Sequence, residues 1–432
     1  FRKILDNKDI EQWKNIDNNL KTEIKKKTFE LLNNETNPSE NAKVCDLIIV
    51  MMEKILDNDE KWDEVTQLAL SIFYYDPCDQ TKLTQIRALL KLLSGGAGFM
   101  YDSISKEFNK IIPYLEKLID SNIDISIKVL ATQFIGELLS FCEEKEVKLF
   151  KNLIGKILIT INKCFNDTKM EDSVKALLEE CIQTESLEPS LFKSYFNDMF
   201  TLGKQLIDKK DYDDEKIREL AFELILNLVE EKPSILKTKK KDSKLLGPFL
   251  EMIFNYGLEF EKTIDDNWST PSGNNYDNCA EDSADDKVNF ALSLLDRVIQ
   301  CMGVDLCQKE LQIIISSYLK KTWEYQYMAL YALSTYSSFD QEMVSIEPVL
   351  ELIYKLMSAK EDKLRFSAIH CINKFCDNYN PSFQKQTITK LIPLFQELLK
   401  KENVLRCQCE LIDALISFIQ FTTSDALKPY TK

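Results

Sequence analysis

In the stretch Asp362–Cys376 (DKLRFSAIHCINKFC), apolar residues Leu364, Ala368, Ile372 and Phe375 recur at steps of four, four and three. That spacing places them on one face of an α-helix. Asp362 stands at the start, where a negative charge suits the positive end of the helix dipole. A helix of this length is marginal alone in water, so its apolar face requires a neighbour. The chain repeats the pattern at Ile127-Lys128 with Ala131, Ile217-Arg218 with Ala221, Tyr325-Gln326 with Ala329 and Leu405-Arg406 with Cys409, and more loosely from Val174-Lys175 and Val288. The small residue four positions after the anchor predicts close approach of a paired helix. The basic residue beside the anchor is read as a bridge to an Asp or Glu of a neighbouring turn.

Successive anchors are about 37–47 residues apart, except Ile217 to Val288, about 71 apart, which reads as one repeat carrying an insert. A period of roughly 40–47 residues built from two helices is the mark of HEAT or armadillo solenoids. The expected fold is an all-α, HEAT-repeat α-solenoid of about nine helical hairpins. Turn residues place the pairs at about 12–33 with 38–56, 62–75 with 79–94, 101–119 with 124–141, 145–166 with 169–185 and 189–208 with 213–230. They continue at about 243–262 with 285–302, 304–320 with 322–337, 343–359 with 362–377 and 381–400 with 402–420. The first helix of each pair is expected on the convex side and the second on the concave side. Three segments follow: N-terminal repeats over 1–262, an acidic insert over 263–286 and central repeats over 287–432. The opening Phe1-Arg2-Lys3-Ile4-Leu5 reads as the end of a helix, with the native N-terminus expected upstream.

Composition adds sign and compartment. The formal net charge is −15, which disfavours nucleic acid as a direct partner and favours basic proteins. The twelve cysteines are scattered without paired spacing, as reduced thiols would be. No apolar run reaches the length of a membrane span and no secretory signal is visible. The insert carries Asp265, Asp266, Asp277, Glu281, Asp282, Asp285 and Asp286 around the apolar anchors Trp268 and Tyr276. Such a long loop in a tight array is commonly functional, here as a contact for a basic partner. Its acids lack the spacing of a calcium loop. Lys237, Lys239, Lys240, Lys241 and Lys244 form a basic run, read as a solvated loop between repeats.

Candidate chemistry is sparse. The single histidine, His370, gives no basis for a triad or a zinc helix. Gly95-Gly96-Ala97-Gly98 lacks the Gly-Lys-Ser/Thr of a phosphate loop and reads as a helix end. Cys407-Gln408-Cys409 has no further metal ligands near it in sequence. No cofactor, metal site or enzymatic activity is expected.

The later repeats carry phrases of a known family. Trp323-Glu324-Tyr325-Gln326-Tyr327-Met328-Ala329-Leu330-Tyr331-Ala332-Leu333-Ser334 is similar to its W-K-Y-R-x-x-A-L-x-A-L-S, with Gln326 in place of the Arg. Leu364-Arg365-Phe366-Ser367-Ala368 is similar to V-R-Y-A-A, Pro381-Ser382-Phe383-Gln384-Lys385 to P-x-F-Q-K, and Leu295-Asp296-Arg297 to L-D-R. Asp266-Asn267-Trp268 resembles the D-W that opens the family's insert. In this order the phrases resemble the importin-β (karyopherin-β) superfamily, notably its importin-five branch, specifically over about 243–420 and only in architecture before that.

The resemblance implies a nuclear import receptor shuttling between cytoplasm and nucleus and meeting the nuclear envelope. Such a receptor holds basic, Lys-rich cargo on its concave face, answers to the GTP form of Ran, and meets Phe-Gly nucleoporins on its convex face. It acts as a monomer, and this chain would be an N-terminal to central portion. Cargo contacts are then expected from Asp296, Trp323, Glu324, Asn373, Gln408, Glu410 and Asp413, and Ran or cargo contacts from the insert acids and Trp268. The alternative is a non-catalytic HEAT scaffold such as a phosphatase regulatory subunit.

Overall fold

The computed structural model describes residues 13, 16–35, 37–56, 62–236, 245–262, 268, 285–340 and 346–430. The opening Phe1–Leu5, the lysine run and the insert acids Asp265, Asp266, Asp277, Glu281 and Asp282 lie outside them, as does Tyr276. Two compact units divide the chain, Phe1–Glu231 and Lys232–Lys432.

The first unit contains α1 (Asn18–Asn34), α2 (Pro38–Leu56), α3 (Asp63–Leu70), α4 (Leu83–Gly95), α5 (Ala97–Ile104), α6 (Phe108–Asp120), α7 (Ile125–Leu139), α8 (Lys151–Cys164), α9 (Glu171–Leu187), α10 (Phe196–Asp208) and α11 (Lys216–Glu231). The second contains α12 (Leu246–Gly257), α13 (Asp286–Met302), α14 (Val304–Tyr318), α15 (Trp323–Ser337), α16 (Glu347–Leu356), α17 (Asp362–Asn378), α18 (Ser382–Lys401) and α19 (Leu405–Gln420). The described residues are all-α, without strands. Each unit stacks antiparallel hairpins, and the second helices pack on one another in a ladder: α2, α4, α7, α9 and α11 in the first, α13, α15, α17 and α19 in the second. The expected all-α hairpin architecture holds.

The apolar spacing explains the ladder. Leu364 is 3% exposed, and Ala368, Ile372 and Phe375 are fully buried. Ala131, Ala221, Ala329 and Ala368 all sit at 0% exposure, where a larger side chain would hold the neighbouring helix away.

The polar residue after each anchor ties the hairpin together. Lys128 Nζ donates to the Ile119 carbonyl at 2.8 Å, Arg218 Nε to Ile207 at 2.8 Å, Gln326 Nε2 to Leu319 at 3.1 Å and Arg365 Nη1 to Ala359 at 3.0 Å. These carbonyls end the preceding helix or lie just past it, where no intrahelical donor remains. Gln326 therefore does the work of an arginine here. Some of these residues also reach the next repeat, as the sequence suggested. Lys175 pairs with Asp214 at 2.6 Å, and Arg365 holds Glu402 through Nε at 2.8 Å and Nη2 at 3.0 Å, across 39 and 37 residues.

One register differs from the sequence reading. Leu405-Arg406 was aligned with Leu364-Arg365, but Cys407-Gln408 occupies that place. Cys407, Leu411, Ala414 and Phe418 form the buried stripe of α19. Gln408 Nε2 donates to the Glu402 carbonyl at 2.6 Å, as Arg365 does to Ala359. Leu405 is only half-buried at the first helical position; its hydrophobicity misled the alignment. Arg406 thereby falls opposite Lys363.

Three first helices are interrupted where the sequence suggested one piece. Three-residue 3-10 turns lie at Ser105–Glu107, Lys148–Phe150 and Lys193–Tyr195. Each break brings a phenylalanine into the core, Phe108, Phe150 or Phe196. Phe108 and Phe150 meet edge to face at 5.6 Å. The glycine run ends α4 as expected, but α5 starts at once on Ala97. A Cβ on Gly96 would lie 2.8 Å from the Leu92 carbonyl oxygen and 2.7 Å from Met100 Cε. Gly96→Ala is therefore expected to cost about 1–3 kcal/mol, read as a lower denaturant midpoint with an unchanged m-value.

Among the described residues no helix is long and apolar enough to cross a membrane, and no group of His, Cys, Asp and Glu is set to hold a metal. Among the described residues, Cys45, Cys78, Cys142, Cys164, Cys181, Cys371, Cys376 and Cys407 are free thiols.

Candidate functional site

The second-helix ladder of Lys232–Lys432 turns one face away from its first helices, and Trp268, Trp323, Glu324, Asn373, Glu410 and Asp413 lie there. At its middle lies the pair α17 and α19. Glu410 is 2% exposed. Its Oε1 accepts from Asn373 Nδ2 at 3.1 Å and faces His370 Nδ1 at 3.1 Å. A carboxylate can only accept, so Nδ1 carries the proton. Burial alone would raise the Glu410 pKa, but the hydrogen bonds and charge of His370 with the amide of Asn373 outweigh it and hold the carboxyl below its ordinary value. His370 in turn stacks on Phe366 at 6.1 Å and lies 5.4 Å from Tyr331. The Asn373 Oδ1 is buried with no hydrogen-bond partner. Asp413, three residues beyond Glu410, is exposed; partial burial and the Glu410 charge raise its pKa. This arrangement joins an aromatic wall, a buried negative charge and a solvent-facing acid.

At the N-terminal ends of α15, α17 and α19 the face is already occupied by the chain itself. Phe260 packs on Tyr327 at 4.6 Å and edge-on to Trp323 at 5.7 Å. Lys262 Nζ lies 3.7 Å from Glu324 Oε1. A hydrogen bond from the Thr322 side chain, assisted by Lys262, holds the Glu324 carboxyl below its ordinary pKa. Lys363 Nζ donates to the Glu261 carbonyl at 2.5 Å, and Arg406 Nε to the Trp268 carbonyl at 2.7 Å. The Trp268 indole meets Phe366 edge-on at 6.0 Å beneath Arg406 at 5.3 Å.

The remaining expected residues are scattered. Gln408 is taken up by the turn before α19. Asp296, half-buried on α13, accepts from Gln300 Nε2 at 2.6 Å. Asp285 caps α13 and accepts the Glu261 amide at 3.0 Å, closing the base of the insert. Asp286 is exposed in the first turn of α13. Phe260, Lys262, Lys363 and Arg406 were missed. The signal was a basic residue two before Gln408 and two before Arg365, hidden by the misaligned register.

A second concavity lies between first helices α8 and α10 of Phe1–Glu231. It is a cavity of about 280 Å³ lined by Gly155, Leu158, Ile159, Tyr195 and Leu202 among others. Ile159 is 54% exposed at its rim.

No family model matches the chain. A sequence relative does. Importin subunit beta-3 of Saccharomyces cerevisiae is 23% identical over 336 residues, covering 75% of this chain and 29% of that protein. That relative is an importin-β protein, so the chain is similar to this superfamily. Solved karyopherin structures share its fold. Kap121p bound to RanGTP aligns over 96% of this chain with a TM-score of 0.77 and 18% identity, and Kap121p bound to Nup53p with 0.78 and 18%. Kap121p bound to Pho4p gives 0.77 and 18%. Each alignment covers 39% of the solved chain. The chain thus spans well under half the length of the relatives it matches.

Proposed function

We propose that this chain is the cargo-holding part of a nuclear import receptor, taking Lys-rich segments on the second-helix face of Lys232–Lys432. The carrying observation is the cluster of Glu410, Asn373 and Asp413 against Phe366, His370 and Tyr331. Glu410 supplies a buried charge kept ionised by its partners, and Asp413 meets an ammonium in solvent. Aromatic faces favour a cation beside them. Asp296, Trp323 and Glu324 extend this face on α13 and α15, and Gln408 supports it through its turn.

Within each unit the ladder face is then the concave wall, and the first helices form the convex one. There the cavity beside Ile159 has room for an aromatic ring, the size a Phe-Gly nucleoporin repeat presents. Relatives solved with RanGTP, Nup53p and Pho4p support a Ran-regulated carrier. The insert acids, with Asp285, Asp286 and Trp268, are the proposed contacts for Ran or cargo. The receptor acts as a monomer and shuttles between cytoplasm and nucleus.

The test is titration of a fluorescent Lys-rich peptide, with RanGTP or RanGDP then added to the full-length protein. Asp413→Lys is expected to weaken the peptide about tenfold or more, a loss of about 1.4 kcal/mol, with little change in melting temperature because Asp413 is exposed. Affinity should fall with added salt. Equal affinity for wild type and Asp413→Lys removes this placement of the site. Indifference of the full-length complex to RanGTP favours a static scaffold.

A further inference from the structure

The described residues Phe260–Lys262 and Trp268 lie across the starts of three successive ladder helices, and they make contacts of the kind an extended peptide makes. Two main-chain carbonyls, of Glu261 and Trp268, are read by side chains of the ladder, Lys363 and Arg406. Two aromatic side chains, Phe260 and Trp268, lodge against Trp323, Tyr327 and Phe366. One ammonium, of Lys262, faces the Glu324 carboxylate beside the Trp323 indole. Carbonyl recognition combined with side-chain pockets is how peptide grooves bind their ligands.

The grip is uneven along this stretch. Phe260 is 3% exposed and fixed. Lys262 is not: its side chain is 56% exposed and its ammonium stands 3.7 Å from Glu324. The other carboxylate oxygen, Glu324 Oε2, is buried with no hydrogen-bond partner. An exposed pair at this distance is weakly held, so a better-placed ammonium would take its place on the carboxylate. Glu324 Oε1 cannot hold Lys262 and an incoming lysine together.

We propose that Lys262 is an intrachain stand-in for a cargo lysine, occupying Glu324 until a lysine of the cargo displaces it. This rests on the Lys-rich cargo reading above and adds its regulation. The device sets a threshold. A segment with a single lysine elsewhere on the face leaves Lys262 in place, whereas one that spans from Asp413 to Glu324 must displace it.

The experiment is titration of a Lys-rich peptide into the whole chain and its variants. Lys262→Ala is expected to tighten binding about three- to tenfold, since one competitor is removed. The gain should vanish in a Glu324→Gln background, where there is no charge to compete for. Lys385→Ala, which removes an equal charge from the first-helix side on α18, is the control for net charge and should leave affinity unchanged. Unchanged or weaker binding by Lys262→Ala, or an equal gain from Lys385→Ala, overturns the proposal while leaving the cargo reading standing. Absence of peptide binding in wild type and Lys262→Ala alike overturns both. Lys262 is exposed, so its loss does not threaten folding.

Discussion

Arg365→Ala should lower the unfolding free energy of Lys232–Lys432 by about 3–5 kcal/mol, the cost of leaving one member of a buried ion pair behind. The guanidinium holds both oxygens of Glu402 at 2.8 and 3.0 Å and donates at 3.0 Å to the carbonyls of Ala359 and Lys360. The two side chains are only 15% and 6% exposed. Removal strands a buried carboxylate and two carbonyls at once. On the scale of a unit this size the melting temperature should fall on the order of 10 °C. Arg365→Lys keeps the charge but loses the fork, and should recover only part of the loss. The pH dependence follows from Glu402. Burial pushes its pKa up, yet Arg365 and the amides of Val404 and Asn403 bring it below the ordinary value of 4.5. A depressed carboxylate contributes stability above its unfolded pKa and loses it as pH falls through the folded one. The deficit of Arg365→Ala should therefore be largest near neutral pH and shrink in acid, where Glu402 is protonated in either protein. An exposed counterpart, Arg87 with Asp124 at 2.9 Å, is 30% and 49% exposed and should cost under about 1 kcal/mol when cut. Equal losses at the two sites would refute the burial argument.

Glu185→Gln should do the opposite and stabilise Phe1–Glu231. Glu185 on α9 is 0% exposed, and neither carboxylate oxygen has a hydrogen-bond partner. Burial raises its pKa from 4.5 to about 9. Between those values the folded state holds a proton that the unfolded chain has released, so stability falls as pH rises across that window. At pH 7 the penalty is about 3 kcal/mol, from roughly 1.4 kcal/mol per pH unit. Glutamine keeps the shape and cannot ionise, so the variant should gain up to that amount at pH 7 and nothing near pH 4. Urea unfolding at several pH values measures it. A gain independent of pH would show that Glu185 is not the titrating group.

The repeat was legible because its cause is local. Leu364, Ala368, Ile372 and Phe375 lie on one stripe whatever the helix packs on, and the recurrence of that stripe implies a stack. The breaks at Phe108, Phe150 and Phe196 were not legible, because a bend at a 3-10 turn answers to the helix alongside rather than to the local pattern. The register of α19 was misread for a related reason. Leu405 and Cys407 are both apolar, and only packing on α17 selects Cys407. The candidate site was legible in kind but not in arrangement. Acids and aromatics on the second helices were visible in sequence. That Glu410 is buried under His370 and Asn373, that Gln408 is spent on a turn, and that Lys262 already faces Glu324 were not.

The sequence by itself determined that this protein is a stack of helical hairpins with a net charge of −15, since helical periodicity and charge are read from the residues alone. The tertiary structure decided which of those charges are spoken for. Partners such as Arg365 with Glu402 and Lys363 with Glu261 are 37 and 102 residues apart, and only the folded chain brings them within hydrogen-bonding distance.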